Sequence, residues 1–458
     1  MNSEKKVEMR VLDPEYRRHS IDEVSLGYSK DEALIEASRC LNCKNKPCVQ
    51  GCPVNIDIPA FIKKIKEEKF DEALTIIEKE SSLSRICGRV CPQESQCEKY
   101  CVRGIKGESL AIGRLERFVS DNVIKNNNNI DIVKNGKKVA IIGSGPSGLS
   151  CSYDLIKLGY DVTIYEALHL NGGVLIYGIP EFRLPKKIVS DEIDKLKNLG
   201  VKFINNCVIG KTLLLSDLIN DYDAIFIGSG AGLPRFMNIP GENLNGVLSA
   251  NEFLTRFNLM KAYLENAKTP IFKAKKYAVV GGGNVAMDAA RCALRLGASE
   301  VHIIYRRSMN EIPARLEEVI HAKEEGIIFD TLVLPVEIIG DENHYVSKIN
   351  CVRMELGEHD ESGRRSPVEI PDSLFSIDCD AVIMAIGTSP NPLLKETSEG
   401  LITNKRGCLV VNEDTLETSI ENVYAGGDAV TGAATVILAC GSGKKAAEHI
   451  NEKLSKRG

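Results

Sequence analysis

Eight cysteines near the amino-terminal end of the sequence have the spacing of ligands for metal clusters. They form two close-spaced quartets: Cys40, Cys43, Cys48, Cys52, Cys87, Cys91, Cys97 and Cys101. Thiolates this close repel one another unless a cation neutralises them, so each quartet predicts a four-iron cluster or a tetrahedral zinc site. Cys52 and Cys91 each precede proline, which is typical of proteins with two iron–sulfur clusters. We therefore expect two 4Fe-4S clusters, with zinc sites or unligated core cysteines as the alternatives.

A glycine-rich turn follows a predicted buried strand at residues 139–142 and leads into a predicted helix. The turn contains Gly143, Gly145, Pro146 and Gly148. Glycine allows the tight turn and lets the backbone approach a pyrophosphate, which the free N–H groups at the start of the helix stabilise. The next predicted strand ends at Glu166, whose carboxylate would accept hydrogen bonds from ribose hydroxyls. These features predict a dinucleotide site, and a purely structural turn is the alternative.

The same strand, turn and helix pattern occurs again at residues 277–296. Its turn contains Gly281, Gly283, Asn284 and Ala286. The second strand of this unit ends in Arg306 and Arg307, where the first unit has an acid. Guanidinium groups bind a 2′-phosphate in bidentate fashion, whereas a carboxylate would repel it. This unit is therefore predicted to prefer NADPH to NADH, unless the two arginines are only a solvated strand end.

Two further buried strands frame the second unit, and each ends in a turn of small residues, at Gly228 and Gly387. Their order along the chain indicates that one nucleotide domain is inserted into another. Near the end of the sequence, Gly427 and Asp428 lead to Thr435 and a last predicted helix. Asp428 would hydrogen-bond a flavin ribityl chain, and the helix N-terminus would stabilise negative charge on a reduced flavin ring.

The seven cysteines beyond Cys101 are scattered singly and are expected to be ordinary small buried residues. The layout of two nucleotide units resembles flavoproteins with two dinucleotide-binding domains, among which the disulfide reductases carry a close cysteine pair facing the flavin. No Cys-x2-Cys or Cys-x4-Cys pair occurs among these seven cysteines, so the resemblance implies a flavin without that dithiol partner. Electrons on the flavin must therefore leave by another route, and the predicted clusters supply one.

The pattern of residue types along the sequence predicts the secondary-structure elements that position these residues. Residues 1–122 show helical spacing around the cysteine-rich loops and predict an α-helical domain with the two clusters, while residues 123–136 are polar and predict a linker. Beyond them, β-branched runs alternate with helical patterns, as in parallel α/β units. We expect an α/β fold with two Rossmann-like dinucleotide-binding domains, the second (245–388) being inserted into the first (137–244 and 389–458).

Composition and charge narrow the class of protein. A chain of 458 residues with 43% hydrophobic residues can fill several cores. A net charge of -5 favours neither nucleic acid nor an anionic membrane as a partner. No apolar run is long enough to span a bilayer, and the amino terminus fits no secretory signal, so the sequence predicts a cytoplasmic protein.

The motifs as a set resemble the small (beta) subunit of NADPH-dependent glutamate synthase and, equally, the large subunit of NADH-dependent reduced ferredoxin:NADP oxidoreductase. The amino-terminal half of dihydropyrimidine dehydrogenase is more distantly similar. The matching segments are Cys40-Leu-Asn-Cys43, Gly88-Arg-Val-Cys-Pro-Gln93, Gly113-Arg-Leu-Glu-Arg-Phe118, residues 172–185, Tyr305-Arg-Arg and Gly426-Gly-Asp428. The resemblance implies FAD in the first nucleotide site, with Gly173 near the flavin, and NADPH in the second.

The resemblance also implies interleaved cluster ligands. The cluster distant from the flavin would be held by Cys40, Cys43, Cys48 and Cys101. The nearer one would be held by Cys52, Cys91, Cys97 and Glu116. Cys87 would then be unused, although spacing alone would choose Cys87 over Glu116, and a surface carboxylate on a helix is the alternative for Glu116.

The implied activity is hydride exchange with NADP(H) at FAD, followed by electron transfer through the clusters to a second protein subunit. No catalytic side chain is expected, because the cofactors perform the chemistry. The partner would be a glutamate synthase large subunit or, in an electron-bifurcating enzyme, a smaller NAD-binding flavoprotein or ferredoxin. The same motifs would also suit a stand-alone reductase of sulfide or polysulfide, or a non-catalytic iron–sulfur scaffold.

Overall fold

The structure is a computed structural model that describes residues 4–123, 132–360 and 363–456. Residues 124–131 of the predicted linker lie outside this part. The amino-terminal region is helical, as expected. Its helices are α1 (Pro14–Arg18), α2 (Lys30–Ser38), α3 (Pro47–Gln50), α4 (Ile58–Lys66), α5 (Phe70–Glu78), α6 (Ser84–Val90) and α7 (Ile112–Asn122), with 3-10 turns at Gln93–Ser95 and Val102–Ile105.

Strands and helices alternate in the rest of the chain. The strands are β1 (Lys138–Ile142), β2 (Asp161–Tyr165), β3 (Lys202–Ile204), β4 (Ala224–Ile227), β5 (Leu233–Pro234), β6 (Val247–Ser249), β7 (Lys276–Val280), β8 (Glu300–Tyr305), β9 (Ile328–Thr331), β10 (Val333–Gly340), β11 (Val346–His359), β12 (Arg365–Glu369), β13 (Phe375–Asp378), β14 (Ala381–Met384), β15 (Thr388–Ser389) and β16 (Val423–Ala425). The helices are α8 (Pro146–Lys157), α9 (Val174–Tyr177), α10 (Lys186–Asn198), α11 (Leu215–Asp221), α12 (Ala250–Leu254), α13 (Asn284–Arg295), α14 (Leu316–Glu324), α15 (Leu393–Glu396), α16 (Asp428–Thr431) and α17 (Val436–Ser455), with a π-helical turn at Thr255–Leu259 and a 3-10 turn at Met309–Glu311.

Two parallel sheets form the framework of this part. One has the strand order β16-β4-β1-β2-β3 and the other β6-β14-β7-β8-β9. The second sheet is formed entirely between β4 and β16 in the chain, so its domain is inserted into the first. The short antiparallel pair β5 and β15 joins the two connections between the domains. Parallel order places the carboxyl ends of the strands, where the glycine turns follow, at one edge of each sheet.

An antiparallel sheet of β10, β11, β12 and β13 lies within the inserted domain. The alternation of strand and helix patterns in the sequence gives no sign of this antiparallel sheet. Side chains of the antiparallel sheet, among them Val333, Ile338 and Ile349, share one core with Val280 and Ile304 of the parallel sheet. The antiparallel sheet therefore covers a sheet face that a crossover helix usually covers.

The last helix connects the amino-terminal region to the first nucleotide domain. α17 packs along α8 so closely that a Cβ at Gly443 would lie 2.1 Å from the Ser147 carbonyl oxygen. On another side, Lys444 forms an ion pair with Glu80, which follows α5. The helical region and the first nucleotide domain accordingly share one hydrophobic core. Within the described residues, no helix is both long enough and apolar enough to cross a membrane.

Candidate functional site

The first glycine turn leaves space where a pyrophosphate would bind. A Cβ at Gly143 (φ +97°) would lie 2.5 Å from the Gly228 carbonyl oxygen, and one at Gly148 would lie 2.1 Å from the Gly143 carbonyl oxygen. These positions therefore require glycine. At Gly145 a Cβ would meet no atom within 4 Å. The open space over Gly145 adjoins the start of α8, where Pro146 occupies the first turn, and so fits an anionic group.

Glu166, at the end of β2, is fixed beside this turn. Its carboxylate accepts hydrogen bonds from the Ser144 N–H (2.9 Å), the Ser144 hydroxyl (2.5 Å) and the Leu168 N–H (2.9 Å). The Ser144 hydroxyl in turn accepts a hydrogen bond from the Gly172 N–H (2.9 Å). These bonds hold the predicted ribose-binding carboxylate next to the turn, and they place the 172–185 segment there as well.

Lys186 holds the 172–185 segment over the same turn. Its ammonium group is buried and donates hydrogen bonds to the carbonyl oxygens of Leu175 (2.9 Å), Leu184 (3.1 Å) and Ile179. Burial lowers the pKa of Lys186 to about 8. A Cβ at Gly173 (φ +54°) would lie 2.9 Å from the Gly145 Cα atom, so the segment touches the glycine turn directly.

Three more predicted residues meet at the start of α17. Gly427 has φ +63°, and a Cβ there would lie 2.9 Å from the Ser147 hydroxyl oxygen. The Asp428 carboxylate accepts a hydrogen bond from the Ala434 N–H (3.2 Å), and burial raises its pKa to about 6. Thr435 caps α17 by accepting the Leu438 N–H (3.4 Å).

The phenol of Tyr177 is buried and is affected by the charges of both acids of this site. Burial raises the pKa of its phenol to about 12, and the charges of Asp428 and Glu166 add to the shift. The structure thus brings the first glycine turn, Glu166, Gly173 and Asp428 together around one site that fits a flavin dinucleotide.

The second glycine turn has the same construction. A Cβ at Gly281 (φ +138°) would lie 2.3 Å from the Ala385 carbonyl oxygen, whereas one at Gly283 would meet no atom within 4 Å. Ala286 is fully buried. The Asn284 side-chain oxygen accepts the Arg315 N–H (2.9 Å). The space over Gly283 at the start of α13 therefore fits a second pyrophosphate.

The remaining predicted residues of the second site differ in their surroundings. Gly387 has φ +103° and lies just before β15, outside the glycine turn. Arg306 is exposed at the end of β8. Arg307 is buried, where it pairs with the Asp360 carboxylate (2.5 Å) and donates to the Arg365 carbonyl oxygen (2.8 Å). The alternative of a merely solvated strand end is therefore wrong for Arg307, and Arg306 is the arginine available to a ligand.

Four of the eight amino-terminal cysteines line one cavity. All four thiols that the resemblance assigns to the distant cluster line it: Cys40, Cys43, Cys48 and Cys101. Burial raises the pKa of Cys48 to about 12, with Cys101 and Cys40 adding to the shift. The Leu110 N–H donates to the Cys101 sulfur (3.4 Å), a contact of the kind that tunes iron–sulfur clusters. The geometry fits a cluster bound inside this cavity.

The charge of Glu116 on α7 affects all three cysteines that the resemblance assigns to the nearer cluster. Glu116 is buried, and its Oε1 atom has no hydrogen-bond partner in the described part of the chain. Burial raises the pKa of Glu116 to about 8. Burial also raises the pKa of Cys52 to about 11, and the charges of Glu116 and Cys91 add to the shift. Burial also raises the pKa of the Cys97 thiol, and the charges of Glu116 and Cys91 add to that shift. These shared effects indicate that the four side chains are near one another.

The unpartnered Glu116 oxygen fits a bound cation. A buried carboxylate with no partner is unfavourable, because nothing replaces its hydration. The alternative of a surface carboxylate is wrong, since Glu116 is only 7% exposed. Among residues 4–123, 132–360 and 363–456, no group of three or more His, Cys, Asp or Glu side chains has the arrangement of a single-ion site.

Cys87 lies at the boundary between this group and α17. A hydrogen bond with Cys440 of α17 raises the pKa of the Cys87 thiol, and Cys91 is also within hydrogen-bonding distance. The Cys440 thiol donates to the Pro146 carbonyl oxygen (3.8 Å) at the start of α8. The seven cysteines beyond Cys101 are buried, as expected. Cys440, however, belongs to a contact between the two sites.

Known protein families match both parts of the chain. Residues 17–128 match the family described as dihydropyrimidine dehydrogenase domain II, 4Fe-4S cluster, and residues 137–443 match the pyridine nucleotide-disulphide oxidoreductase family. The glutamate synthase (NADPH) small chain of Escherichia coli (strain K12) is 33% identical over 458 residues, and the alignment covers 97% of each chain. The chain belongs to the glutamate synthase small-chain family. The 4Fe-4S match also confirms the iron–sulfur prediction over the zinc alternative.

Two other similar proteins differ more from this chain, one in length and one in sequence. The NADP+-dependent formate dehydrogenase subunit beta of Moorella thermoacetica is 42% identical over 434 residues, which are 89% of this chain and 60% of that one. This chain therefore spans less than two thirds of that relative. FprA of Mycobacterium tuberculosis in complex with NADPH matches with a TM-score of 0.60 and 21% identity over 70% of this chain and 85% of that one. This likeness supports the predicted fold of two Rossmann-like domains.

Sequence reasoning missed several residues that shape these sites. Ser144, Tyr177, Lys186 and Arg315 each make contacts described above. Serine in a turn and lysine at a helix start are common, so their types give no signal. Only the position of Ser144 inside the glycine turn, between Gly143 and Gly145, could have marked it.

Proposed function

We propose that this chain is the NADPH-oxidising flavin and iron–sulfur subunit of a larger electron-transfer enzyme of glutamate synthase type. FAD would bind over Gly145, with Glu166 at its ribose and Asp428 at its ribityl chain. NADPH would bind over Gly283, with its 2′-phosphate at Arg306. The cavity-lining cysteines would hold one 4Fe-4S cluster, and Glu116 with its three neighbouring cysteines would hold the other.

The main support for this proposal is the position of α17. Its first residues follow Thr435 at the flavin site. One turn further on, a Cβ at Gly441 would lie 3.3 Å from the carbonyl oxygen of Pro53, the residue after the predicted cluster ligand Cys52. The flavin site and one cysteine group are therefore adjacent and separated by less than two turns of helix.

The side chains of the two nucleotide sites bind and orient, and none is required to transfer a proton. When bound, FAD accepts a hydride from NADPH and releases single electrons, which iron–sulfur clusters accept one at a time. Glu166 and Asp428 position the dinucleotide by accepting hydrogen bonds. The free N–H groups at the start of α17 favour negative charge on the reduced ring.

Electrons would leave through the cysteine group around the cavity, because that group is farther from α17 and its cysteines are partly exposed. The relatives are named as chains or subunits of larger enzymes. We propose a glutamate synthase large subunit as the partner, and a smaller NAD-binding flavoprotein of a bifurcating enzyme as the second candidate, since both would receive electrons at the same place.

Anaerobic stopped-flow spectroscopy of the purified holoprotein tests the proposal. The protein is mixed with NADPH, and separately with NADH, while flavin and cluster absorbance are recorded together. We expect NADPH to bleach the flavin faster than NADH does, and the cluster bands to follow. A flavin that neither nucleotide reduces would contradict the proposal and favour a non-catalytic scaffold. Rapid oxidation of the reduced protein by polysulfide would instead favour a stand-alone reductase.

A further inference from the structure

Arg315 belongs to the inserted domain, but its side chain contacts the helical domain. The residue immediately precedes α14, and its backbone N–H donates to the Asn284 side chain in the second glycine turn (2.9 Å). Its guanidinium group donates to the Gln93 side-chain oxygen (3.1 Å) and to the Arg89 carbonyl oxygen. Arg315 is buried in this position. One residue therefore contacts both the second glycine turn and the helical domain.

The two helical-domain partners of Arg315 flank Cys91, a predicted ligand of the nearer cluster. Arg89 precedes Cys91 by two residues, and Gln93 follows it by two. The Gln93 side chain also donates to the Gly88 carbonyl oxygen (3.3 Å), which draws the two ends of the Cys91 loop together. The guanidinium group of Arg315 thus holds both ends of this loop.

Gln93 also packs against α7, the helix that carries Glu116. A Cβ at Gly113 would lie 2.2 Å from the Gln93 side-chain nitrogen, so the Gln93 side chain lies directly against the backbone of α7. Gly113 precedes Glu116 by three residues, and residues three apart are neighbours on the surface of a helix. The contact between Arg315 and Gln93 is therefore close to two predicted ligands of the nearer cluster, Cys91 and Glu116.

The positive charge of Arg315 acts on the Cys91 thiol. A hydrogen bond with Cys87 and burial raise the pKa of Cys91, and the charge of Arg315 opposes that rise. Two acids also contact the guanidinium group, Glu317 (3.0 Å) and Glu94 (4.0 Å). Loss of the Arg315 charge would leave both acids less compensated, so it would make the surroundings of Cys91 more negative.

We propose that Arg315 is a positioning residue of the inserted domain that raises the reduction potential of the nearer cluster. This inference rests on the proposed function, in which Cys52, Cys91, Cys97 and Glu116 hold that cluster. Net charge and hydrogen bonds around the ligands set the potential of an iron–sulfur cluster. The cluster gains one negative charge when it accepts one electron from the reduced flavin. A nearby positive charge stabilises this reduced state more than the oxidised one.

Redox titration of the holoprotein, monitored by EPR spectroscopy, tests this proposal. The potentials of both clusters are measured with dithionite as the reductant, so NADPH is not needed. The test variants are Arg315→Met, which removes the positive charge, and Arg315→Lys, which keeps it. Glu116→Ala, which is expected to lack the nearer cluster, identifies the signal of the distant one.

Arg295→Met is the matched control. The Arg295 side chain is also buried in the inserted domain, where it pairs with Glu325 (2.8 Å), and it also contacts the amino-terminal region by donating to the Ser20 carbonyl oxygen (2.8 Å). Arg295 is the last residue of α13, whereas Arg315 contacts the first, roughly 16 Å away along the helix. Its loss should weaken the contact between the same two domains without removing a charge near Cys91.

We expect Arg315→Met to lower the potential of the nearer cluster by about 59 mV or more, which corresponds to a tenfold change in a one-electron equilibrium. The potential of the distant cluster should stay unchanged. Arg315→Lys should shift the nearer cluster by less than half as much, and Arg295→Met should shift neither cluster. Arg315→Gln, which is also neutral, carries the same expectation if Arg315→Met does not retain its iron.

An unchanged potential in the neutral Arg315 variants, an equal shift of both clusters, or an equal shift in Arg295→Met would each overturn the proposal. An Arg315→Lys protein with a potential as low as that of Arg315→Met would overturn it as well. A wild-type protein without a signal from the nearer cluster would contradict the proposed function instead. Since dithionite reduces the clusters even if NADPH does not reduce the flavin, the two failures are distinguishable.

Discussion

Arg306 and Arg307 are adjacent in the sequence but have different surroundings. Arg306 is exposed, whereas Arg307 is buried against Asp360. Arg306→Ala should therefore raise the KM for NADPH by about 10- to 100-fold, since charge-assisted hydrogen bonds contribute about 1.5–3 kcal/mol, and should leave the KM for NADH unchanged. Steady-state kinetics with both nucleotides checks this. Arg307→Ala is the matched control and should lower the melting temperature; if it alone abolishes the NADPH preference, the role given to Arg306 is wrong.

Glu116 and Cys87 are both buried next to Cys91, and only one of them is expected to bind the near cluster. The unpartnered oxygen of Glu116 favours Glu116, because Cys87 already has Cys440 as a hydrogen-bonding neighbour. Glu116→Ala should therefore lose about half of the bound iron, since one of the two proposed clusters would lack a ligand. Cys87→Ala should retain both clusters. Iron and sulfide analysis with EPR spectroscopy distinguishes the variants, and loss of a cluster only in Cys87→Ala would reverse the assignment.

Gly145 and Gly148 lie in the same turn between β1 and α8 but have different roles. Gly145→Ala should reduce FAD content without changing the melting temperature of the flavin-free protein, because the new Cβ meets no protein atom. Gly148→Ala should lower that melting temperature, because its Cβ would lie 2.1 Å from a backbone oxygen and such overpacking costs about 1–3 kcal/mol. Flavin absorbance and thermal unfolding measure the two effects. Equal destabilisation by both substitutions would contradict this distinction.

Elements with a local signature were predictable from the sequence. The strands before Gly143 and Gly281 are short runs of β-branched residues followed by a turn that only glycine can form, so both the elements and the sites were evident. The antiparallel sheet over 333–378 was not, because its strands replace a helical layer through contacts with β7 and β8. Lys186 was missed for a similar reason, since its role depends on three carbonyl groups that come together only in the folded segment.

A buried ionic network joins three parts of the whole molecule. Arg17 of the amino-terminal region pairs with Glu325 (3.1 Å), and Glu325 also pairs with Arg291 (2.8 Å) of the inserted domain. Arg183 of the 172–185 segment pairs with Asp288 (2.6 Å) on α13. Removing one partner of a buried ion pair is costly because the other charge stays buried. The network therefore fixes the inserted domain against the other two parts.

Arg17→Met should lower the free energy of unfolding by about 3 kcal/mol, because it leaves buried carboxylate charge on Glu325 less compensated. Arg10→Met is the control, since Arg10 forms an exposed pair with Glu32 (3.3 Å) and such pairs contribute about 0–1 kcal/mol. Thermal unfolding of both variants provides the comparison. An Arg17→Met protein as stable as Arg10→Met would show that the network does not hold the domains together.

The contacts of α17 set limits on how the molecule can vary. A side chain at Gly443 would have to push α8 away, and one at Gly441 would crowd the backbone of Pro53 beside the cysteine loop. A saturation mutagenesis library of this helix should therefore accept no side chain at Gly443 and only small ones at Gly441, while exposed positions such as Leu438 should accept many. The residue at Gly443 is limited by contact with the first nucleotide domain, and the residue at Gly441 by contact with the helical domain. Substitutions in this one helix would therefore be restricted by both domains.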